Sequence, residues 1–125
     1  MPFLFPRKRE ILDIHAQLIE VFGGAPGLRD EAALESALTA AENREYYQNA
    51  DLAKCAATYA YHLSQAHAFM DGNKRVAAAV SEIFLELNGA RLNADDEQIV
   101  TLFLRIAAGK LSRGEVEQFF DLCTT

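Results

Sequence analysis

Cysteine is scarce in this chain. Cys55 and Cys123 are the two cysteines among 125 residues, too few for a disulfide framework and without the spacing of a zinc site. They read as small apolar fillers in a reducing compartment. Basic charge is outweighed: 12 Lys and Arg face 18 Asp and Glu, a net charge of −6. That balance argues against a general nucleic-acid binder and against a protein held on an anionic membrane surface. Long hydrophobic runs are missing, and none approaches the roughly 20 apolar residues that a membrane-spanning helix needs. No strongly alternating stretch demands a substantial sheet. Repeats, low-complexity segments and linkers are absent as well. The start of the chain, with Pro2, Pro6 and the basic run Arg7-Lys8-Arg9, is followed by no signal-type apolar stretch. The expected address is therefore the cytoplasm.

What is present suits an ordinary globular protein. Half the residues are hydrophobic and 24% are charged, and the length gives one domain, 1–125, with one continuous core. Helical periodicity runs nearly throughout. Ile11, Ile14, Leu18 and Phe22 mark one buried face, which Gly23-Gly24-Ala25-Pro26-Gly27 interrupts. Asp30 is placed to cap a second helix bearing Leu34, Ala37, Leu38 and Ala41. Asn49-Ala50-Asp51 opens a third, with Leu52, Cys55, Tyr59 and Leu63 along it. Val76, Val80, Ile83, Phe84 and Leu87 mark a fourth, closed by Asn88-Gly89. Asp95 or Asp96 begins a fifth with Ile99, Leu102, Phe103 and Ile106. Ser112 and Glu115 have capping-box spacing ahead of Val116, Phe119 and Phe120. The expected fold class is all-α, a compact bundle of about six helices. The first glycine cluster leaves room for a small flap hairpin. Tyr46-Tyr47 and Phe119-Phe120 read as packing pairs, and His15 and His62 as core or capping residues.

Chemistry concentrates at the junction of the third and fourth helices, in His67-Ala68-Phe69-Met70-Asp71-Gly72-Asn73-Lys74-Arg75. A helix start offers unpaired N–H groups and partial positive charge to an anion. Gly72 lets the backbone approach that anion, and Lys74 and Arg75 add two cations, the arginine with a forked geometry suited to phosphate. Asp71 is the carboxylate of the loop, and magnesium commonly takes one or two carboxylates together with substrate phosphates. His67 is the general base, since histidine titrates near neutrality. Base, metal carboxylate and anion cradle within nine residues form a constellation for phosphoryl or nucleotidyl transfer. A zinc site from Cys55, His62 and His67 has neither the spacing nor enough ligands. Asp71 also has a plainer use as a helix cap, and Lys74 as a solvated charge.

The run from His67 to Arg75 resembles the Fic motif, His-x-Phe-x-Asp/Glu-Gly-Asn-Gly-Arg-x-x-Arg. The resemblance implies that His67 deprotonates a target hydroxyl and that Asp71 binds magnesium. It further implies that Gly72, Asn73 and Arg75 cradle phosphates while Phe69 anchors the loop in the core. The stretch from Gly23 to Asp30 with Leu34, Ala37 and Leu38 looks like the segment upstream of the motif in Doc-type proteins. There it serves either as a connector or as a flap that aligns the target peptide. In length and helix order the chain is similar to the minimal Doc domain.

Two positions depart from the Fic pattern. Lys74 stands where the second glycine belongs, and Ala78 where the last arginine belongs. Asn73-Lys74-Arg75 is instead the Doc form. That form implies a protein kinase whose nucleotide lies reversed, so that the γ-phosphate of ATP meets the target, with elongation factor Tu as target and a Phd-like antitoxin as inhibitor. AMP transfer stays open, because Gly72 keeps the loop close to the Fic form. An inactive binding module is the third alternative. The self-inhibitory pattern of many Fic enzymes, Ser/Thr-x-x-x-Glu-Gly/Asn, is absent from the sequence.

Overall fold

Side-chain caps set the start of most helices. In the computed structural model, which describes residues 3–125, they run α1 Lys8–Phe22, α2 Glu31–Gln48, α3 Leu52–Ala66, α4 Asn73–Leu87, α5 Asp96–Ala107 and α6 Arg113–Cys123. Met1 and Pro2, which head the basic start, lie outside the described residues. The Asp30 carboxylate accepts the Ala33 N–H at 3.0 Å, and that of Asp51 accepts the Lys54 N–H at 2.9 Å. Asp95 with Gln98 and Ser112 with Glu115 form reciprocal capping boxes. Each such cap stabilises its helix by about 1 kcal/mol. α1 starts differently, with the Glu10 carboxylate reaching back to the Arg7 N–H at 2.9 Å.

α3 is the axis of the bundle. Ala53, Ala56, Ala57 and Ala60, together with Cys55, Tyr59 and Leu63, are buried around its circumference. A helix apolar all round must be enclosed. α2, α4, α5 and α6 pack against it, while α1 lies against α4. The alanines keep those neighbours close, and the larger side chains of Leu34, Phe84 and Phe120 fill the space between. The N-terminal segment is held down by Asn88, whose side chain accepts from the Leu4 N–H at 2.8 Å and donates to the Leu4 carbonyl at 2.9 Å. Phe5 thereby stacks on Phe84, with ring centroids 5.3 Å apart.

The all-α expectation holds: six helices and no named strand among the described residues. No helix there is long and apolar enough to cross a membrane. The flap hairpin does not form, because Leu28 makes an antiparallel bridge to Phe69 in place of pairing within its own segment. Tyr46 and Tyr47 are not core residues. Both are largely exposed and touch each other edge-on at 4.8 Å. Leu87 also lies outside the core, at the exposed end of α4.

A polar knot joins α2, α3 and α6. Buried Arg44 pairs with Glu117, and Arg113 donates from Nη1 to Nε2 of half-buried His62 at 3.5 Å. An arginine only donates, so that nitrogen of His62 must carry a lone pair. Burial first, then the charges of Arg113 and Arg44, hold the His62 pKa below its ordinary 6.5. The folded protein therefore takes up this proton at lower pH than the unfolded chain. The stability His62 contributes is full above about pH 6.5 and declines as pH falls through the folded value. His62→Gln is expected to flatten that acid limb, read as urea stability at several pH values from about 7 to about 5. An unchanged slope would assign the titration to another group.

Candidate active site

The loop between α3 and α4 begins with an unusual turn. His67 caps α3 in the left-handed region, φ 48° and ψ 42°, where glycine or asparagine is the ordinary occupant. For a side chain such as histidine this costs roughly 1–2 kcal/mol. The turn leaves the His67 imidazole exposed and sends Ala68 and Phe69 into the core. The Phe69 ring stacks on the buried ring of His15 from α1, with centroids 3.9 Å apart and 15° between planes.

Main-chain bonds hold this shape. Asn73, the first residue of α4, closes on Phe69 twice. Its Oδ1 accepts the Phe69 N–H at 3.1 Å, and its Nδ2 donates to the Phe69 carbonyl at 3.0 Å. The Asn73 side chain is thus a brace within the loop, and what it offers an anion is its backbone N–H. The glycine-rich segment pairs with the same loop. The N–H groups of Arg29 and Asp30 both donate to the Ala68 carbonyl, at 2.7 and 3.0 Å, and Met70 donates to Gly27 at 3.1 Å. These bonds account for the missing hairpin: the segment's partner is the loop.

Asp71 is fixed from three directions. Its carbonyl accepts from Nε2 of His15 at 2.8 Å, which sets the hydrogen on that ring nitrogen because a carbonyl has none to give. Its carboxylate accepts the Gly72 N–H at 2.8 Å and the Ala25 N–H at 3.4 Å. It does not cap α4, whose N-cap is Gly72 at φ 77° without a side-chain bond. Gly24 makes the close approach feasible. A Cβ there would lie 2.6 Å from Asp71 Oδ2, and its φ of +115° would strain any other residue independently.

The first intrahelical bond of α4 runs from the Val76 N–H to the Gly72 carbonyl, at 2.9 Å. The N–H groups of Asn73, Lys74 and Arg75 precede it and make no backbone hydrogen bond among the described residues, which is the anion-binding state of a helix start. Lys74 and Arg75 are exposed and form no ion pair there. The Arg75 guanidinium lies 4.6 Å from the centre of the Phe22 ring.

His67, Asp71, Gly72, Asn73, Lys74 and Arg75 all line one cleft of about 520 Å³. Ala78 and Ser64 continue that lining, and α5 supplies an apolar wall through Ile99, Val100, Phe103 and Leu104. No cluster of three or more His, Cys, Asp or Glu capable of holding a metal alone occurs among the described residues. The cleft therefore joins an exposed imidazole, one carboxylate and an anion-binding helix start to an apolar surface. Sequence reasoning missed three parts of it: His15, Gly24 and the α5 wall. His15 carries no local signal, since it sits at an ordinary buried position of α1. Gly24 was legible only as part of a chain-breaking segment with room for a flap, not as the neighbour of Asp71.

Comparison with known proteins places this helical bundle and its loop in a family. The model of the Fic/DOC family matches residues 5–85, from the N-terminal segment through most of α4, and the chain belongs to that family. It is 31% identical to "Protein kinase doc" of Escherichia phage P1 over 108 residues, 86% of this chain and 85% of that protein. It is 38% identical to "Toxin Doc" of Mycolicibacterium smegmatis over 76 residues, 59% of this chain and 58% of that one.

The strained turn has a measurable signature. His67→Gly is expected to be more stable than His67→Ala by about 1 kcal/mol, because only glycine meets no Cβ penalty in the left-handed region. Equal urea midpoints for the two variants would show that position 67 relaxes out of this conformation.

Proposed function

We propose that this protein is a Doc-type kinase that transfers the γ-phosphate of ATP to a hydroxyl of a protein target. The observation that carries the reading is Lys74 on the cleft, beside the helix start, with uncharged Ala78 one turn further along α4. This substitutes a cation for bare backbone at one point and removes a phosphate clamp at another. Both changes favour a nucleotide held with its terminal phosphate toward the target. The kinase name of a relative aligned over most of both chains supports the same reading.

In this reading His67 takes the proton from the target hydroxyl. The hydroxyl oxygen then bonds to the γ-phosphorus as the bond from that phosphorus to the β–γ bridging oxygen breaks. ADP leaves, and a phosphate ester remains on the target. Gly72 and the backbone of Asn73 hold phosphate oxygens, and Lys74 and Arg75 balance their charge. Asp71 would hold magnesium. A single exposed carboxylate, steadied by two N–H contacts, suits an ion that takes the rest of its shell from phosphates and water. Bound there, the ion would neutralise charge on the phosphates.

By resemblance to Doc proteins, the target is elongation factor Tu, modified in the cytoplasm, and a Phd-like antitoxin with a flexible tail restrains the enzyme. AMP transfer is the second reading, favoured by Gly72, whose left-handed φ of 77° opens α4 as the Fic pattern would.

Intact-mass analysis of purified elongation factor Tu, and of a bacterial lysate, after incubation with the protein, ATP and magnesium separates these readings. One added phosphate is expected. Folded His67→Ala should lose about 10²–10⁴-fold in rate, the usual contribution of a general base; undiminished transfer would overturn its assignment. One added AMP would establish the second reading, and nucleotide binding without any modification would leave a binding module. Lys74→Gly is expected to slow phosphate transfer about 10- to 100-fold, the range for a lost charged hydrogen bond, and to admit AMP transfer. An unchanged rate and product would show that Lys74 does not select the pose.

A further inference from the structure

Ser64 occupies an anomalous position. It lies on α3 three residues before His67, is 1% exposed, and lines the same cleft. Its hydroxyl has no hydrogen-bond partner among the described residues. Buried hydroxyls on helices ordinarily bond a carbonyl of the preceding turn, and two others here do so. Thr58 donates to Lys54 at 2.7 Å, and Ser81 to Ala78 at 2.9 Å. Tyr59 also carries an unpaired hydroxyl, but it lies in the core against Phe84. An unpaired buried polar group costs free energy that a ligand can recover by bonding to it.

The surroundings indicate which part of a ligand it would meet. Gln65, the next residue, donates to the Ile106 carbonyl at 2.7 Å, which ties this end of α3 to α5. α5 contributes the apolar wall of Val100, Phe103 and Leu104. In the reading above, the phosphates of a nucleotide already have their partners in the α4 start, Lys74 and Arg75. A neutral hydroxyl adds little beside two cations. On an apolar wall it is the group that fixes orientation, as the few polar groups of ligand pockets do.

We infer that the Ser64 hydroxyl is a binding contact for the nucleoside portion of the nucleotide in this cleft. The inference rests on the transferase reading above and extends it to a specificity-determining residue. Bonding of Ser64 to the ribose or base gives the hydroxyl its missing partner and fixes which way the nucleotide lies along the cleft.

The test is calorimetric binding of ATP with magnesium, and separately of inorganic tripolyphosphate with magnesium, to the full wild-type chain and to Ser64→Ala. The expected result is a 3- to 10-fold weaker ATP affinity in Ser64→Ala, about the worth of one neutral hydrogen bond. Tripolyphosphate affinity should be unchanged, and the thermal midpoint unchanged or higher. Equal ATP affinity in the two proteins, with a higher midpoint for the variant, would overturn the inference and leave Ser64 as a packing defect. Equal weakening of both ligands would overturn the nucleoside assignment. Failure of the wild-type chain to bind ATP at all would overturn the transferase reading, and this inference with it.

Discussion

The closure of the Asn73 side chain on the Phe69 backbone is the contact on which the candidate site depends. It links the first residue of α4 to a buried residue of the loop. Phe69 is buried, so its N–H and carbonyl need partners that water cannot supply. One amide side chain satisfies both. The distance from α3 to α4, the inward turn after His67 and the direction of the α4 start are set together by that pair of bonds. Without it, the loop would have two unpaired backbone groups in the core and two left-handed residues, His67 and Gly72, with less to hold them in place.

Supports from distant parts of the chain then fix the loop against the bundle. His15 contributes twice, through ring stacking on Phe69 and a bond to the Asp71 carbonyl. The segment from Gly24 to Asp30 contributes main-chain bonds on the other side. Asp71 lies where these supports meet, which is why a carboxylate on the protein surface has a defined position. The exposed imidazole of His67 gains its position differently, from a backbone conformation that histidine rarely adopts. Strain of this kind persists where surrounding bonds over-determine it.

Much of the fold was legible because caps and periodicity are local. Asp30, Asp51, Asp95 and Ser112 each start a helix where the residue type and the following apolar spacing say one begins. The nine-residue motif was legible for a related reason, since its chemistry lies in consecutive residues. What escaped was long-range. The bond from His15 spans 56 positions, and nothing near His15 distinguishes it from a packing residue. The glycine segment was misjudged because its hydrogen-bonding partner lies some forty residues away. Tyr46 and Tyr47 were misjudged because aromatic character signals burial only on average, and both are largely exposed on the last turn of α2.

The way the loop is supported has a consequence for how its chemistry can change. Its shape comes from main-chain bonds and from side chains such as Phe69, Asn73 and His15. The side chains of Met70 and Lys74 are exposed, and that of Arg75 lies over the exposed ring of Phe22. The frame and the reactive surface are therefore separable. In the proposed reading, an exchange at position 74, or at exposed Val100 or Leu104 of the α5 wall, alters what is bound and how it is oriented without a compensating change in the bundle. A scaffold divided in this way is evolvable: one rigid frame can be tuned from one transferred group to another by single steps, each leaving a folded protein.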